Sequence, residues 1–282
     1  MPELIVRVAD LVVGGARITS QRVVFSVQRS LSKTPNTCDV KVWNLTERTR
    51  TQIQAKGTAV ILTAGYEGES GIIFSGDSRT TDHTFERGGV VTRVQCGDGE
   101  KAYAVTYVSE SWSPGTQLVD VLSHLIRALG YNPGNALARL RRGDFRAGFT
   151  EFPHGYVTTG RAVDELDRLL RSAGLTWSIQ DGALQVLKAN EVLADEVVLL
   201  SSSSGLIGSP AYNSPDKQAK ASVLKARSLL RHVYRPGRKL QLKSRGVSGV
   251  FKIEKVTHTG DTHGQDWYSD LEMLPCSNME VV

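Results

Sequence analysis

The sequence predicts a β-rich α+β protein in which two β domains flank a small α+β domain. A length of 282 residues suits two or three compact domains. Short alternating apolar segments separated by turn residues fill both ends of the chain, whereas leucines at helical spacing occur in its middle. The predicted boundaries are 1–112 for the first β domain, 113–196 for the α+β domain and 197–282 for the second β domain.

The first domain reads as a run of short strands interrupted by one short helix, which is typical of a small barrel or sandwich. Asn44 or Thr46 is suited to cap this helix, which runs to about Ala55 and ends at Gly57. The predicted strands cover residues 4–13, 23–27, 37–43, 60–66, 72–77, 90–96 and 101–108.

The middle domain combines two amphipathic helices with a hairpin. One helix covers 118–129 and stops at Gly130, and the other follows Gly160 and ends before Gly174. Asp181 and Gly182 favour a type I′ turn between strands 175–180 and 183–187. The expected core residues of the helices are Leu118, Leu122, Ile126, Leu166 and Leu170.

One long segment of this domain, 131–156, has no regular pattern and is predicted to be a functional or mobile loop. It is rich in arginine, with Arg139, Arg141, Arg142 and Arg146.

The last domain returns to short strands, predicted at 197–200, 220–230, 240–243, 249–258 and 268–274. Residues 201–205 form a polar link, and Pro236-Gly237 form a turn. No short-period repeat is visible. Because both ends of the chain read as similar β units, a long-range repeat is expected, and the two β domains are predicted to superpose.

Composition excludes several classes of protein. The chain is 40% hydrophobic and 22% charged, which argues against global disorder. It has no apolar run long enough for a membrane helix and no signal-peptide pattern at its start. No membrane anchor is therefore expected. Three scattered cysteines fit neither a disulfide framework nor a zinc site, so synthesis in a reducing cytosol fits best.

Charge is unevenly distributed along the chain. Between Lys217 and Arg245 there are ten Lys and Arg and no Asp or Glu, whereas the remainder holds 24 basic and 29 acidic residues. This basic segment is either a solvated face or a surface for an acidic partner. Only Tyr234 lies within it as an aromatic residue, which argues against a dedicated nucleic-acid site.

No motif indicates catalysis or a cofactor. His258, Asp261 and His263 are close enough in sequence to suggest metal ligands, but they read better as a polar hairpin tip. The glycines at 97 and 99 lack the spacing of a phosphate-binding loop, and no Gly-x-Ser-x-Gly elbow occurs. The sequence therefore predicts neither catalytic nor metal-ligating residues, no cofactor and a protein that is not an enzyme.

Two groups of segments resemble the baseplate hub proteins of contractile-tailed bacteriophages. The first group is 38–46, 62–66 and 73–77, and the second is 228–230, 235–238, 250–256 and 258–262 with Trp267. In this family, two domains of each subunit resemble a subunit of the tail tube, and a smaller domain lies between them. The resemblance therefore implies two tail-tube-like β-barrels flanking the α+β domain.

The resemblance also implies a function. Three chains would form a ring of six barrels at the distal end of the tail, which adapts the six-fold tube to a three-fold spike or needle. The implied partners are two further copies of the chain, a tail-tube or tube-initiator protein, a spike or needle protein and baseplate proteins. The viral genome would pass through the central channel. The implied location is the baseplate of the virion, after assembly in the host cytoplasm.

Two other functions stay open at this stage, a tail-associated peptidoglycan hydrolase and a soluble nucleic-acid binder that uses the basic segment. For the hub, the predicted partner-interface residues are Arg235, Arg238 and Lys239. The two arginines flank a Pro-Gly turn that is expected to project from its domain. Their planar guanidinium groups suit bidentate contacts with the carboxylates of a neighbouring chain.

Overall fold

The structure is a computed structural model that describes residues 6–86, 88–99, 105–143, 150–194, 196–213, 222–276 and 280–281. It is rich in strands with few helices, which confirms the predicted class at this level. The described residues form two compact units. Unit 1 comprises Met1–Ser30, Asn36–Gly97 and Asn190–Val282, and unit 2 comprises Leu31–Pro35 and Asp98–Ala189. The division into three domains stays a prediction.

Most strands of unit 1 join one mixed sheet. A short helix, α1 (Glu47–Ile53), lies between the strands that end at Trp43 and begin at Ala59. Thr46 is its cap, since the Thr46 hydroxyl accepts a hydrogen bond from the backbone N–H of Thr49 at 3.2 Å. The strands of this sheet are β1 (Arg7–Val13), β2 (Ala16–Ile18), β3 (Val23–Ser30), β4 (Thr37–Trp43), β5 (Ala59–Tyr66), β6 (Glu69–Glu86), β7 (Gly89–Gly97), β15 (Val198–Ser201), β16 (Leu206–Tyr212), β17 (Leu224–Leu229), β18 (Lys239–Lys243), β19 (Ser248–Asp261) and β20 (Trp267–Pro275).

The strand order of this sheet occurs twice. The first β repeat, made of strands between Arg7 and Gly97, runs β1-β5-β6-β7-β4-β3. The second β repeat, made of strands between Val198 and Pro275, runs β15-β18-β19-β20-β17-β16. The strands take the same places in chain order, with one exception in direction: β1 is antiparallel to β5, whereas β15 is parallel to β18. The long-range repeat expected from the sequence is therefore present in the topology.

Each β repeat has its own hydrophobic core. The first core includes Leu11, Phe25, Val40 and Leu62, and the second includes Leu200, Leu240 and Leu271. Alternation of buried and exposed residues along the strands explains both cores, since one face of each strand is apolar.

Neither repeat closes on itself. In the described part of the chain the path of paired strands is open and ends at β2 and β16, and no closed barrel is found. Instead, the two repeats share one sheet, because β19 pairs with β3. The two-barrel arrangement implied by the resemblance is thus not confirmed.

Unit 2 contains the helices α2 (Leu118–Leu129), α3 (Ala136–Arg142) and α4 (Ala162–Ser172). The five leucine and isoleucine residues expected in its core are all at most 3% exposed, which confirms the amphipathic helices. The strands of this unit are β8 (Tyr107–Trp112), β9 (Thr116–Gln117), β10 (Glu151–Phe152), β11 (Tyr156–Arg161), β12 (Thr176–Gln180) and β13 (Ala183–Leu187). The short strands β14 (Glu191–Val192) and β21 (Glu280–Val281) pair in unit 1.

The hairpin of β12 and β13 is confirmed with the turn that was predicted. Asp181 and Gly182 both have positive φ, 53° and 76°, as a type I′ turn requires. The Asp98 carboxylate accepts hydrogen bonds from the backbone N–H groups of both turn residues, at 2.9 and 3.0 Å. This carboxylate fixes the turn within unit 2.

Two predictions for this region need correction. The segment 131–156 is not an irregular loop, since it contains α3, on which Arg139 is buried and donates a hydrogen bond to the carbonyl of Val186 at 3.0 Å. Arg146 lies outside the described residues. The strand predicted at 101–108 begins at Tyr107 and pairs with β11 of unit 2, and residues 101–104 lie outside the description.

Candidate subunit interface

A long bulged strand occupies the same place in each repeat. In β6 the extra residue of the bulge is Arg79, and in β19 it is Glu254. Pairing with β5 or β18 ends before the bulge, whereas pairing with β7 or β20 begins two or three residues before the bulge and continues past it. The bulges therefore align the two repeats residue by residue.

After each bulge comes a histidine that is hydrogen-bonded to a hydroxyl group on the next strand. His83 lies four residues after Arg79, and its Nδ1 is 3.0 Å from the Thr92 hydroxyl of β7. His258 lies four residues after Glu254, and its Nδ1 is 2.8 Å from the Ser269 hydroxyl of β20. Both histidines are followed by threonine, at Thr84 and Thr259. A histidine that bonds a hydroxyl on the next strand is therefore a duplicated feature.

The outer edges of the two long strands differ. The internal joint is the antiparallel pairing of Lys255–Asp261 in β19 with Val24–Ser30 in β3, which places Val27 opposite His258. Residues 80–86 of β6, here called the arm, occupy the same position in the first repeat. Among the described strands, only β7 pairs with the arm. Within the described part of the chain, the joint that β19 makes with β3 has no counterpart at β6.

The strand that corresponds to β3 is β16, and it is also an edge. Among the described strands, only β17 pairs with it. The register identifies the equivalent residues: one row across the sheet is Thr80, Gln95, Asp39 and Ser26, and the matching row is Lys255, Glu272, Lys225 and Ala211. Ala211 therefore corresponds to Ser26, and Tyr212 corresponds to Val27.

Both free edges carry exposed large side chains. Phe85 on the arm is 87% exposed, and Tyr212 on β16 is 48% exposed. At the internal joint, the equivalent positions are Gly260 and Val27, both buried. There Phe25 packs so closely on Gly260 that a Cβ atom would approach its ring within 2.3 Å. The exposed edges therefore lack the cover that the internal joint provides.

The predicted interface residues lie in the connection between β17 and β18. Arg235 and Arg238 are half-buried, and Pro236 and Gly237 between them are buried. The Gly237 N–H donates to the Ile253 carbonyl at 2.8 Å, and the Gly237 carbonyl accepts from the Leu193 N–H at 2.9 Å. The expectation that this turn projects from its domain is wrong, because both of its backbone groups are bonded to neighbouring segments.

Lys239 begins β18, where it lies opposite Lys252 of β19. Whether Arg235, Arg238 and Lys239 contact a partner stays a prediction. Three other cations of the basic segment form ion pairs inside the chain: Lys225 with Glu272 at 3.6 Å, Arg227 with Asp270 at 2.7 Å and Arg231 with Glu69 at 2.7 Å. Three of the segment's ten cations are thus paired with carboxylates of the same chain. Lys217 and Lys220 lie outside the described residues.

The same connection covers His258. His232 packs against Gly71, where an added Cβ would come within 2.4 Å of the imidazole ring. Burial, with the charges of Arg29 and His232 nearby, lowers the pKa of His258 to about 3. Burial likewise lowers the pKa of His232, assisted by the cations of Arg235, Arg231 and Arg238. The internal joint therefore holds a neutral imidazole in its core.

The opposite face of the shared sheet is polar and spans both repeats. Its ion pairs include one in the first repeat between Arg93 and Asp39 and two in the second repeat. This polar face is lined by Ser26, Gln28, Thr37, Asp39, Lys41, Arg79, Arg93, Gln95, Lys225, Arg227, Thr257, Thr259, Asp270 and Glu272.

The segment with His258, Asp261 and His263 belongs to the β19–β20 hairpin. Asp261 is the last residue of β19, so the strand is longer than predicted and the turn comes after it. The Asp261 carboxylate accepts two hydrogen bonds from Arg22, and its pKa is lowered by that contact. Within the described residues no group of three or more His, Cys, Asp or Glu side chains is placed to hold a metal ion. No described helix has the length and apolarity to span a membrane.

Sequence reasoning missed the arm and β16. The signal for the arm was the His-Thr dipeptide, which occurs at His83 and at His258 on strands of equal place. Strand β16 has a weaker signal, because Gly208 and Pro210 interrupt it and a bulge separates Ile207 from Ala211.

The fold is that of bacteriophage tail proteins. The chain matches the 43 kDa tail protein of prophage MuSo2 from Shewanella oneidensis with a TM-score of 0.67 and 10% identity, covering 97% of this chain and 98% of that one. It matches a tail protein from Neisseria meningitidis MC58 with a TM-score of 0.61 and 11% identity, covering 95% and 96%. The resemblance to tail proteins is thus confirmed at the level of fold.

A third similar structure is the E. coli c3393 protein, a component of the type VI secretion system with structural similarity to the T4 bacteriophage tail proteins gp27 and gp5. Its TM-score is 0.64 at 9% identity, and the match covers 94% of this chain and 76% of that one. No protein-family model matches the sequence, and no curated protein matches it.

Proposed function

We propose that this chain is a structural subunit of a phage-type tail baseplate hub. Three copies form a ring with six β repeats, and this ring adapts a six-fold tail tube to a three-fold spike or needle. The tail-protein fold supports the structural role. The observation that carries the ring is the repeated strand order, with one repeat-to-repeat joint inside the chain and one matching pair of free edges.

The two free edges, the arm and β16, are proposed to pair with each other as β19 pairs with β3 at the internal joint. In the proposed contact, the arm of one copy pairs antiparallel with β16 of the next, as β19 pairs with β3. The equivalences of the register place His83 opposite Tyr212 and Thr84 opposite Ala211. Such a head-to-tail contact uses different surfaces on the two copies, so it closes into a ring when the rotation between copies is right.

Side-chain size supports this contact. At the internal joint a large Phe25 lies over a small Gly260. At the proposed contact the large residue is Phe85, and it faces the bulge of β16, which contains Gly208 and Pro210. Pairing would cover two exposed aromatic side chains, and burial of apolar area stabilises association.

The polar face would then line the channel of the ring, because the two cores lie on the other side of the shared sheet. Its ion pairs balance much of its charge. A polyanion such as DNA binds strongly only where cations are in excess. Ion pairing of three lining cations reduces that excess, which favours passage of a genome over its retention. The axial ends of the ring would meet the tube protein and the spike, among the other baseplate proteins of the virion tail.

Cysteine cross-linking tests the contact. Thr259 and Ser26 form a non-hydrogen-bonded pair at the internal joint, because the Thr262 N–H bonds the Val23 carbonyl at 3.0 Å and the pattern alternates from there. Residues in such pairs are about 4.5 Å apart at Cα, which suits a disulfide. The equivalent double variant, Thr84→Cys with Ala211→Cys, should give a covalent trimer after mild oxidation.

The chain supplies matched controls for this experiment. Ser26→Cys with Thr259→Cys should form a disulfide within one chain and leave the mass of a monomer. Cys276 is replaced by Ser throughout, since Cys38 and Cys96 are buried. Each single variant should stay uncross-linked. A double variant that stays monomeric under reagents that close the internal control, alone and with the purified tail neighbours, would contradict the proposed ring.

A further inference from the structure

Two of the three cysteines meet directly across a pair of strands. In the register of β4 and β7, Cys38 lies opposite Cys96, and the pairing is unbroken from Thr37 to Trp43. Both are free thiols that belong to the first core, and they are 2% and 1% exposed. Their spacing along the chain gave no sign of this contact, because strand register is not visible in a linear sequence.

We propose that Cys38 and Cys96 are a reversible redox pair, which is open as two thiols in a reducing medium and closes to a disulfide within the native chain in an oxidising one. The inference does not depend on the proposed ring, because both residues belong to the first β repeat of a single chain.

The hydrogen-bond pattern shows what kind of pair the cysteines form. The Asn44 N–H donates to the Val90 carbonyl at 2.8 Å, and alternation from there makes Cys38 and Cys96 a hydrogen-bonded pair. Residues in such pairs are about 5.5 Å apart at Cα, which is a common separation in disulfides. Their Cβ atoms are about 5 Å apart, slightly more than in a relaxed disulfide, so closure would draw the strands together. A bond closed in this way is easier to reduce, which makes it reversible.

The side chains supply a second observation. The Cys38 thiol is within hydrogen-bonding contact of the Cys96 thiol, and the Cys96 sulfur is 3.9 Å from the carbonyl oxygen of Val94. Burial, together with this contact, raises the pKa of Cys38. Since the thiolate is the reacting species, an oxidant would attack the pair slowly while β4 and β7 stay paired. Closure would therefore take place while the chain folds or when the two strands open locally.

The second repeat shows what the same place holds without cysteines. The register makes Leu224 and Met273 equivalent to Cys38 and Cys96, and both are fully buried. The position by itself therefore requires only apolar side chains, a requirement that a thiol also meets. What the first repeat adds is a pair of sulfur atoms that can be joined.

Closure is a two-electron oxidation that needs an external oxidant, here a small disulfide such as glutathione disulfide. One cysteine thiolate attacks a sulfur of glutathione disulfide and releases a glutathione thiolate, and the other cysteine then displaces glutathione from the mixed disulfide. The two cysteines lose two protons and two electrons, and the glutathione disulfide becomes two thiols. A chain made in a reducing cytosol carries the open pair, and the same chain in an oxidising medium carries the closed one.

Refolding of the full-length Cys276→Ser chain in glutathione buffers of increasing disulfide content tests this inference. Reduced and oxidised starting material is refolded until the two agree, and a parallel set stays in concentrated urea. Free thiols are then alkylated and counted by mass spectrometry. The native chain should form the internal disulfide at least roughly tenfold more readily than the chain in urea, since the fold holds the thiols together. In the same background, Cys38→Ala and Cys96→Ala should form only mixed disulfides with glutathione.

Three outcomes would overturn the redox pair. One is a native chain with no more internal disulfide than the chain in urea, and another is a mixed glutathione disulfide that persists at either cysteine. Both would show that the fold keeps the thiols apart. The third is a native disulfide that does not reopen in excess reduced glutathione, which contradicts its reversibility. An internal disulfide leaves the mass of a monomer, so none of these results bears on the cross-linking of Thr84→Cys with Ala211→Cys.

Discussion

The two β repeats share a strand order but differ in what covers their long strands. In the second repeat, β19 is paired on both edges after its bulge, with β20 and with β3, and its histidine is fully buried. In the first repeat, β6 continues into the arm, which pairs with β7 alone among the described strands, and Phe85 near its end is 87% exposed. The long strand is therefore covered on both edges in one repeat, whereas the equivalent strand of the other repeat has one edge that no described strand covers.

The repeats also differ in the connection above the long strand. The first repeat uses the helix α1, and the second uses the shorter segment from Leu230 to Arg238, with the buried Pro236 and Gly237. The connection varies while the order of strands stays the same, because the ladders and bulges fix the sheet. Equivalent positions are thus better identified from strand register than from local sequence.

The largest expected difference between the repeats is in the free energy of unfolding when Phe25 or Phe85 is replaced by alanine. Phe25→Ala removes a ring that is 1% exposed and packs on Gly260, so the free energy of unfolding should fall by about 3–5 kcal/mol. Phe85→Ala should change it by no more than about 0.5 kcal/mol, since the ring is in solvent. Urea unfolding of both variants under monomeric conditions measures the two values.

If Phe85→Ala proved as destabilising as Phe25→Ala, the arm would be covered within its own chain, and the comparison of a completed with an uncompleted joint would fail. In the assembled state the ranking should change, because Phe85→Ala should then weaken association.

A smaller effect on the free energy of unfolding is expected when the pH is lowered. The pKa of His258 is lowered to about 3 in the folded chain, whereas the unfolded chain binds a proton near pH 6.5. Above pH 6.5 both states are neutral and His258 contributes no pH dependence. Below it, only the unfolded state takes the proton, so stability falls by about 1.4 kcal/mol per pH unit toward pH 3.

His258→Gln should remove this slope, and His263→Gln should keep it. The measurement is the urea midpoint of each monomer between pH 7.5 and pH 5.0. The partly buried His232, whose pKa is also lowered, contributes in the same direction and is present in all three proteins. An unchanged slope in His258→Gln would mean that the buried imidazole is not what makes the internal joint acid-sensitive.

Much of this fold could be predicted from the sequence, because alternation and helical spacing act locally. The hairpin at Asp181-Gly182 and the apolar faces of α2 and α4 are such cases. Strand β16 could not be predicted, since Gly208 and Pro210 break its pattern and only pairing with β17 makes it a strand. The projecting turn at Pro236 was wrong for a similar reason: a Pro-Gly pair predicts a turn but not whether another segment covers it.

The candidate interface was harder to predict than the fold. The basic segment was a visible feature of composition, yet its cations Lys225, Arg227 and Arg231 meet carboxylates that are distant in sequence. The free edges became visible only when the register of both repeats was compared. An edge is defined by the strand it lacks, which a linear sequence does not show.

The smallest effect concerns the ion pairs of the polar face. In the second repeat, Arg227 lies directly opposite Asp270, bonds both of its carboxylate oxygens and has its guanidinium 4.0 Å from the ring centroid of Tyr268. In the first repeat, Arg93 lies opposite a like charge, Lys41, and reaches diagonally to Asp39. Both pairs are exposed, so each is expected to contribute less than about 1 kcal/mol.

The geometry nevertheless predicts which of the two ion pairs contributes more to the free energy of unfolding. Arg227→Ala removes a direct pair and a cation–π contact, and it should be the more destabilising change. Arg93→Ala removes the ion pair with Asp39 and the attraction of Asp82, which lies opposite on β6, but it also relieves the repulsion from Lys41, so its effect should be the smaller of the two. Unfolding of both variants at 0.05 M and 1 M salt tests this order, since screening should shrink the Arg227 effect toward that of its stacking alone. An Arg93 effect that exceeds the Arg227 effect at low salt would show that diagonal pairing outweighs like-charge repulsion on this face.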